Sequence, residues 1–269
     1  MHAKERNRHV QLTLYQIDAF TDKVFKGNPA AVCPLDSWLA DRDLQAIAAE
    51  NNLSETAFYV PIEGGFNLRW FTPKAEVDLC GHATLATAFV IFNNSDYPDN
   101  TIKFASRSGE LAVTKSDDKL VMDFPSQPGK PCATPPLLVE GLGKAPIEVL
   151  SSEDYMAVFK NEEDIIALKP NFDALSKLDL RGVMVTAKGK DVDFVSRFFA
   201  PRHGINEDPV TGSAHCALTP YWAGKLNKTK LSARQVSKRS GYIECELKGN
   251  RVLLSGKAVK YMEGKIKFR

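Results

Sequence analysis

An internal repeat limits the folds that this chain can adopt. Three short motifs recur in the same order, roughly 130 residues apart. The matching pairs are 69–73 (RWFTP) with 197–201 (RFFAP), 80–83 (CGHA) with 211–214 (TGSA), and 107–109 with 239–241 (both RSG). The shared order and nearly constant spacing indicate two structurally similar halves, each with the same strand–loop–helix junction. Two copies of one junction favour a site that both halves share.

The residue patterns around the repeat predict the fold class. Polar and apolar residues alternate over 11–17, which is typical of a half-buried strand, whereas 83–92 is apolar or small on every face, as in a helix buried all round. Asp36 or Ser37 is expected to cap an earlier helix. We therefore predict an α+β fold of two similar lobes, each a barrel-like, mostly antiparallel sheet wrapped around a central buried helix.

A proline-rich segment, 125–131, separates the two halves. It divides the chain into an N-terminal lobe over 11–126 and a C-terminal lobe over 130–257, with the active-site cleft between them. The last segment, 258–269, has no counterpart in the repeat, and it either stays with the second lobe or crosses back to the first. Pro220 lies within the second helix pattern and is expected to kink that helix or to end its first half.

Composition restricts the partners and the location of the protein. The formal net charge is only +2, and no long block of Lys or Arg occurs, so neither nucleic-acid nor membrane-surface binding is indicated. The most basic stretch, 225–239, is interpreted as a solvated surface. Residues 1–10 lack the apolar core of a secretory signal, and five scattered cysteines favour a reducing compartment. A cytoplasmic protein without a membrane span is expected.

Both junctions place a glycine at a helix start. The first turn of a helix leaves backbone N–H groups without partners, and the helix dipole is positive there. Gly81 and Gly212 would let a ligand approach these groups closely, although neither junction matches a nucleotide-phosphate fingerprint. If the lobes face each other, two helix N-termini converge on one cleft. The positive electrostatic field of the two helix N-termini would favour a small metabolite with a carboxylate or another acidic oxygen.

Several polar side chains near the junctions could carry chemistry. Glu55 lies between a helix end and a strand, where it is either a proton-transfer group with a pKa tuned by burial or a solvated loop residue. His82 at a helix start is either a neutral hydrogen-bonding group or a core residue. The acidic pair Glu207 and Asp208 either complements a helix dipole or supplies a catalytic carboxylate.

Thiol and imidazole groups also lie near both junctions, at Cys80, His82, His215 and Cys216. Neither Cys-x-His nor adjacent His-Cys is a usual zinc spacing, so no metal site is predicted. Cys80 and His82 are only two residues apart at a helix start, which is a poor arrangement for a cysteine nucleophile and its base.

Six motifs in order resemble those of the PhzF-like phenazine-biosynthesis family. They are 18–20 (DAF), 27–32 (GNPAAV), 52–58 (NLSETAF), 69–73 (RWFTP), 80–84 (CGHAT) and 207–215 (EDPVTGSAH). The resemblance extends from about Tyr15 to about Lys260. It implies the diaminopimelate-epimerase type of fold, with two like lobes and the active site between them. It also implies chemistry without a cofactor, and a homodimer.

The resemblance further implies residue roles. Glu55 would be the acid/base that moves a proton between carbons of the substrate, with His82 and Asp208 assisting. The substrate-binding positions would be Ser54, Gly81, Gly212 and Ser213. The predicted function is that of a cofactor-independent isomerase acting on a small carboxylated metabolite.

Two other functions stay open. Related epimerases use two cysteines, one at each helix start, whereas this chain has Cys80 at the first position and Thr211 at the second. Because the pKa of a threonine hydroxyl is far above that of a thiol, symmetric two-thiol epimerisation is disfavoured, and Cys80 becomes either a small structural residue or a thiol that tunes the site. An amino-acid epimerase or racemase remains an alternative. A non-catalytic interaction protein that retained the fold is the other.

Overall fold

The structure is a computed structural model that describes residues 10–268, so His2, His9 and Arg269 lie outside it. The first half contains β1 (Val10–Ala19), β2 (Asn28–Pro34), α1 (Asp41–Asn51), β3 (Glu55–Ile62), β4 (Gly65–Phe71), β5 (Glu76–Val77), α2 (Gly81–Asn94), β6 (Thr101–Ser106), β7 (Gly109–Ser116) and β8 (Lys119–Pro125). We refer to these elements as the first lobe.

The second half begins with β9 (Lys130–Pro131), α3 (Pro136–Leu142), β10 (Glu148–Ser151), β11 (Tyr155–Val158), α4 (Glu162–Ala167), α5 (Phe172–Leu175), β12 (Val183–Lys188) and β13 (Phe194–Ala200). A 3-10 turn (Pro201–His203) precedes β14 (Ile205–Asp208), α6 (Gly212–Leu226), β15 (Lys230–Gln235), β16 (Gly241–Lys248), β17 (Arg251–Gly256) and β18 (Ala258–Phe268). We refer to β9–β17 and their helices as the second lobe. None of the helices within residues 10–268 combines the length and hydrophobicity needed to cross a bilayer.

The strand pairings confirm the predicted duplication and the α+β class. In the first lobe β1–β2 is antiparallel, β2–β3 parallel, β3–β4 and β4–β5 antiparallel, β4–β6 parallel, and β6–β7 and β7–β8 antiparallel. The second lobe repeats this series of pairings from β10 to β17. The same chain path is therefore built twice, as the repeated motifs predict.

A helix lies at the centre of each lobe. In α2, Ala83, Leu85, Ala86 and Ala88 are fully buried, as the apolar pattern on every face predicts. Helix α6 is buried in the same way from Gly212 to Thr219, apart from Ser213. Side chains from both helices and both sheets belong to one hydrophobic cluster, so the two lobes share a continuous core.

Two strand pairs connect the lobes. β8 of the first lobe pairs antiparallel with β17 of the second, which makes the sheet continuous. β18 then returns to the first lobe and pairs antiparallel with β1, from Ala19 opposite Ala258 to Val10 opposite Phe268. Residues 258–268 thus lie against the first lobe.

The predicted cap of the first helix is wrong. Helix α1 begins at Asp41 with Ala40 at the N-cap, and no side chain caps it, so neither Asp36 nor Ser37 has that role. Asp41 and Asp43 instead place negative charge in the first turn, where the helix dipole is positive. The helix ends at Asn52, which adopts the left-handed conformation with φ of 48°.

Pro220 does not end the second central helix, which continues to Leu226. A proline has no N–H, so the carbonyl four residues earlier, that of Cys216, loses its usual partner inside the helix. That carbonyl instead accepts a hydrogen bond from the backbone N–H of Gln127, at 3.0 Å. The proline-rich segment between the lobes therefore satisfies the helix group that Pro220 leaves free.

Candidate active site

The two repeated junctions meet at the N-termini of α2 and α6. A side chain at Gly81 would lie 3.8 Å from the Cα of Gly212, and one at Gly212 would lie 3.8 Å from the Cα of Gly81. Cys80 and Thr211 are the N-caps, and neither side chain caps its helix. The positively polarised ends of both central helices therefore lie side by side.

Glu55 begins β3, and its side chain is buried beside the start of α2. Its Oε2 atom lies 3.2 Å from Nε2 of His82. Both atoms are shielded from solvent, yet neither makes a hydrogen bond of good geometry. Buried polar atoms without partners are rare and costly, so this pair is poised to bind a ligand. The burial of Glu55 also rules out the interpretation as a solvated loop residue.

The surroundings of Glu55 keep it protonated at neutral pH. Burial raises the pKa of its carboxyl to about 8, and the nearby charge of Asp208 adds to this rise. A hydrogen bond from the Cys80 thiol opposes the rise in part. A buried carboxyl whose pKa lies near neutrality can both donate and accept a proton under the same conditions.

His82 is neutral, and its hydrogen bonds define which nitrogen carries the proton. Burial lowers the pKa of its ring to about 3. Nδ1 lies 3.2 Å from Nδ2 of Asn28 and 3.5 Å from Sγ of Cys80. Because an amide nitrogen only donates, the contact with Asn28 fits the form of the ring in which Nδ1 accepts and Nε2 carries the proton. The Nε2–H group is therefore directed toward the region of Glu55.

Asp208 lies in the site at the end of β14. Its Oδ2 accepts a hydrogen bond from the Thr211 hydroxyl at 2.5 Å, and its Oδ1 accepts one from Asn28 at 2.8 Å. Burial raises the pKa of this carboxyl to about 6, and both hydrogen bonds oppose the rise. At neutral pH Asp208 is therefore ionised while Glu55 is protonated. Two carboxyl groups with separated pKa values are typical of acid–base sites.

Glu207, the neighbour of Asp208, has a structural role instead. It forms a two-pronged ion pair with Arg197, at 2.7 and 3.0 Å. Arg69 and Glu76 form the matching pair in the first lobe, at 2.7 and 2.8 Å. Each pair connects adjacent strands of its lobe, which explains why the repeat includes an arginine.

The predicted substrate positions surround this group. Ser54 is half-buried and precedes Glu55, while Ser213 is half-buried at the second position of α6. The Ser213 hydroxyl accepts a hydrogen bond from Nη2 of Arg181 at 3.1 Å, and Asp154 holds the same guanidinium through Nε at 2.9 Å. Arg181 thus brings positive charge to the second-lobe side of the site. It belongs to no motif, so no pattern in the sequence indicates it.

Two further polar residues of the site were also missed. Asn28 lies in motif 27–32, which carries part of the family resemblance, but the sequence alone indicates no role for it in the site. Gln235 is fully buried and holds the segment before α6: its Oε1 accepts from the Thr211 N–H at 3.0 Å, and its Nε2 donates to the Asp208 carbonyl at 2.7 Å. A lone glutamine in a strand pattern has no distinguishing feature in the sequence.

His215 is a core residue outside the site. Its Nδ1 lies 2.8 Å from the Thr211 carbonyl, its ring packs on Phe194, and burial lowers its pKa to about 4.

Within the site, Glu55, Cys80 and His82 each offer a possible ligand atom, and these atoms lie within 4.8 Å of one another. Burial raises the pKa of the Cys80 thiol well above its ordinary value and keeps it protonated. Because metals bind the deprotonated forms, this group suits proton transfer better than metal coordination.

Replacing Glu55 with glutamine is expected to change how stability depends on pH. The pKa of Glu55 is about 8 in the folded protein, above its ordinary value. At a pH between these two values, the unfolded chain has released a proton that the folded protein retains. Wild-type stability therefore falls as pH rises through this window, by up to about 1.4 kcal/mol per pH unit for one group. Glutamine has no such proton, so the variant should gain stability relative to wild type toward pH 8. Urea denaturation at several pH values measures this gain, and a pH-independent difference would contradict it.

Comparison with known proteins places this geometry in a family. Residues 17–264 match the PhzC/PhzF family, described as "Phenazine biosynthesis-like protein". A curated relative from Pseudomonas aeruginosa, named an uncharacterized isomerase, is 57% identical and is aligned over 95% of this chain and 98% of its own. The crystal structure of a PhzF-family phenazine biosynthesis protein from Enterococcus faecalis is 50% identical, with a TM-score of 0.94 over 96% of this chain and 99% of that one.

A solved structure with much lower sequence identity has a similar fold. The hydroxyproline epimerase of Agrobacterium vitis has a TM-score of 0.61 over 96% of this chain and 93% of its own, at only 10% identity. That similarity concerns the fold alone and confirms the epimerase-like architecture. Because the family match covers most of the sequence and close relatives align along nearly their whole length, this chain belongs to the PhzF family of phenazine biosynthesis-like proteins.

Proposed function

We propose that this protein is a cofactor-independent isomerase that moves a proton between two carbons of a small carboxylated metabolite, with Glu55 as the acid/base. The observation that carries the proposal is the pair of unpartnered buried atoms, Glu55 Oε2 and His82 Nε2, beside two adjoining helix starts. Relatives that align along nearly their whole length are named isomerases, which supports the reaction class.

In the proposed reaction Glu55 begins protonated and gives its proton to one carbon of an unsaturated acid. The resulting carboxylate then takes a proton from a second carbon, and the double bond shifts between them. The carboxyl returns to its starting state, so no proton is lost and no electron acceptor is needed. The Nε2–H of His82, 3.2 Å from Oε2, donates a hydrogen bond to the Glu55 carboxylate, where negative charge develops once the proton has left.

The substrate carboxylate is proposed to bind where the two central helices begin. Backbone N–H groups at Gly81, Gly212 and Ser213 have no partners within the helices and attract an anion. Ser54, next to Glu55, adds a hydroxyl. The ionised Asp208 stays on the second-lobe side, where it contributes to the high pKa of Glu55.

The test begins with a ligand screen by native mass spectrometry, using carboxylated dienes, amino acids and hydroxy acids. Compounds that bind are then incubated with the protein in deuterated water, and deuterium at carbon is followed by NMR. The proposal expects uptake into at least one compound by the wild-type protein. If no bound compound takes up deuterium, the proposed reaction is wrong.

The same assay separates this reaction from amino-acid epimerisation. In the structure the Thr211 hydroxyl donates to Asp208, so the second helix start offers no free thiol or base at that position. We expect Cys80→Ala to retain deuterium exchange and Glu55→Gln to lose it. The opposite pattern, with exchange that needs Cys80 and tolerates Glu55→Gln, would assign the protein to the epimerases.

A further inference from the structure

The segment between β1 and β2 reaches from the first lobe to the second. The carbonyl of Phe20 accepts a hydrogen bond from the Tyr242 N–H at 3.0 Å, and the Gly27 N–H donates to the Ser240 carbonyl at 2.7 Å. Ser240 belongs to the third repeated motif, 239–241, to which the proposed reaction gives no role. Both ends of this segment are therefore fixed to the β15–β16 region of the other lobe.

Arg239, the first residue of that motif, forms the strongest of these connections. Its Nη2 donates to Oδ1 of Asp18 at 2.7 Å and to the Lys26 carbonyl at 2.9 Å, while its Nε donates to the Gly27 carbonyl at 2.9 Å. Asp18 is 1% exposed, and its other oxygen accepts from the Phe25 N–H at 2.8 Å. We call Asp18, Arg239 and the two carbonyls the interlobe latch.

The interlobe latch corrects part of the interpretation of 225–239 as a solvated surface: the lysines of this stretch are exposed, but its two arginines are not. The side chain of Arg239 is only 31% exposed, and that of Arg234, which pairs with Glu162, is 24% exposed. The guanidinium groups of Arg234 and Arg239 bind buried carboxylates instead of being fully hydrated by solvent. Charge-assisted hydrogen bonds of this kind restrict geometry more than a surface ion pair does.

Gly27, whose carbonyl belongs to the interlobe latch, directly precedes Asn28 in the sequence. Gly27 has φ of 64°, and a Cβ there would lie 2.1 Å from the Ala19 carbonyl oxygen, so the chain direction at this point is tightly restricted. Asn28 is fully buried, and its Nδ2 lies 3.2 Å from His82 Nδ1, 2.8 Å from Asp208 Oδ1 and 2.9 Å from the Val210 carbonyl. Its amide thus contacts a first-lobe histidine and second-lobe acceptors at once.

We propose that Arg239 is a positioning residue: through the interlobe latch it orients Asn28, which sets the spacing of His82 and Asp208 across the cleft and selects the Nε2–H form of His82. Asp18 keeps the guanidinium of Arg239 in place, and Asn28 transmits its position to the site. The inference shares with the proposed function only the roles of His82 and Asp208. The contacts of the interlobe latch are the same whatever the substrate is. The inference about Arg239 and the proposed function can therefore fail separately.

The internal repeat supplies a matched control. Arg107 occupies the corresponding position of the first lobe, and its side chain is 54% exposed. It pairs with Glu76 at 2.6 Å and with Asp78 at 3.9 Å, both residues of its own lobe. Arg107→Ala therefore removes an arginine from the same motif without touching the interlobe latch.

The experiment uses NMR of the full-length protein labelled with 15N, without any ligand. In wild type and in Arg107→Ala we expect slow solvent exchange of the Asn28 side-chain amide and a single His82 tautomer with the proton on Nε2. In Arg239→Ala we expect the Asn28 amide to exchange about tenfold faster or more, as for loss of a hydrogen bond to a charged group. The His82 nitrogen shifts should move toward a mixture of tautomers.

Arg239→Ala leaves the buried Asp18 carboxylate without its partner, so this variant could fail to fold. The double variant Asp18→Asn with Arg239→Ala removes that charge and still lacks the donor to the carbonyls of Lys26 and Gly27. It should show the same loss of amide protection, while Arg239→Lys should restore part of it. Unchanged Asn28 exchange and unchanged His82 shifts in either folded variant that lacks the guanidinium would overturn the inference.

Discussion

Replacing Glu55 with glutamine is expected to reduce deuterium exchange at the substrate carbon by about 10²–10⁴-fold, the usual contribution of a general acid–base group. Glutamine preserves the size of the side chain and its position at the start of β3. It cannot release or accept a proton, so the step in which the carboxylate takes a proton from carbon is lost. Binding should change much less, because the helix starts and Ser213 are untouched.

The control for this experiment is Glu63→Gln. Glu63 is exposed and lies in the turn after β3, at the opposite end of that strand from Glu55. This variant should exchange deuterium at the wild-type rate. Native mass spectrometry of both variants shows whether the ligand still binds. If Glu55→Gln binds the ligand and keeps more than about a tenth of the wild-type exchange, Glu55 is not the group that moves the proton.

Replacing Phe194 with alanine is expected to lower the free energy of unfolding by about 3–5 kcal/mol, the usual cost of removing a buried phenylalanine ring. Phe194 begins β13 and is fully buried. Its ring stacks on Trp222, with centroids 5.8 Å apart and planes 6° from parallel, and also contacts His215. Both partners belong to α6, so the resulting cavity would loosen the helix that presents Gly212 and Ser213.

Phe25→Ala removes the same ring from the surface and serves as the comparison. Phe25 is 65% exposed, and its ring has only an edge contact with Tyr261 at 5.5 Å. Its loss should change stability by no more than about 0.5 kcal/mol. Urea denaturation followed by tryptophan fluorescence measures both variants. A cost for Phe194→Ala similar to that for Phe25→Ala would mean that the second lobe is not held together by the packing of α6 against β13.

The repeated parts of the fold were readable from sequence because their causes are local. The apolar faces of 83–92 fixed a buried helix, and the glycines at Gly81 and Gly212 marked positions where two helix starts could approach. The prediction of the α1 cap was wrong, because it relied on residue type alone and not on where the helix begins. Asp36 and Ser37 are good capping residues, but the segment from Asp36 to Ala40 stays outside α1, which begins at Asp41.

Pro220 shows why such signals can mislead. Its local effect, the loss of one backbone donor, follows from the chemistry of proline alone. Whether that loss would end the helix depended on a partner from elsewhere, and Gln127 supplies it. The acidic pair before α6 is similar: Glu207 and Asp208 are adjacent in sequence, yet one pairs with Arg197 and the other lies beside Thr211 and Asn28. Only the packed chain could separate their roles.

The sequence by itself determined that the chain has two similar lobes, which family it resembles and which glutamate to examine, because these follow from patterns along the chain. The tertiary structure decided the environment of that glutamate. Burial raises the pKa of Glu55, Asp208 approaches it from the other lobe, and hydrogen bonds of Asn28 and Arg239 connect the lobes across 180 to 221 positions of sequence. A pKa and a hydrogen-bond network depend on distances through space, and those distances exist only once both lobes have packed together.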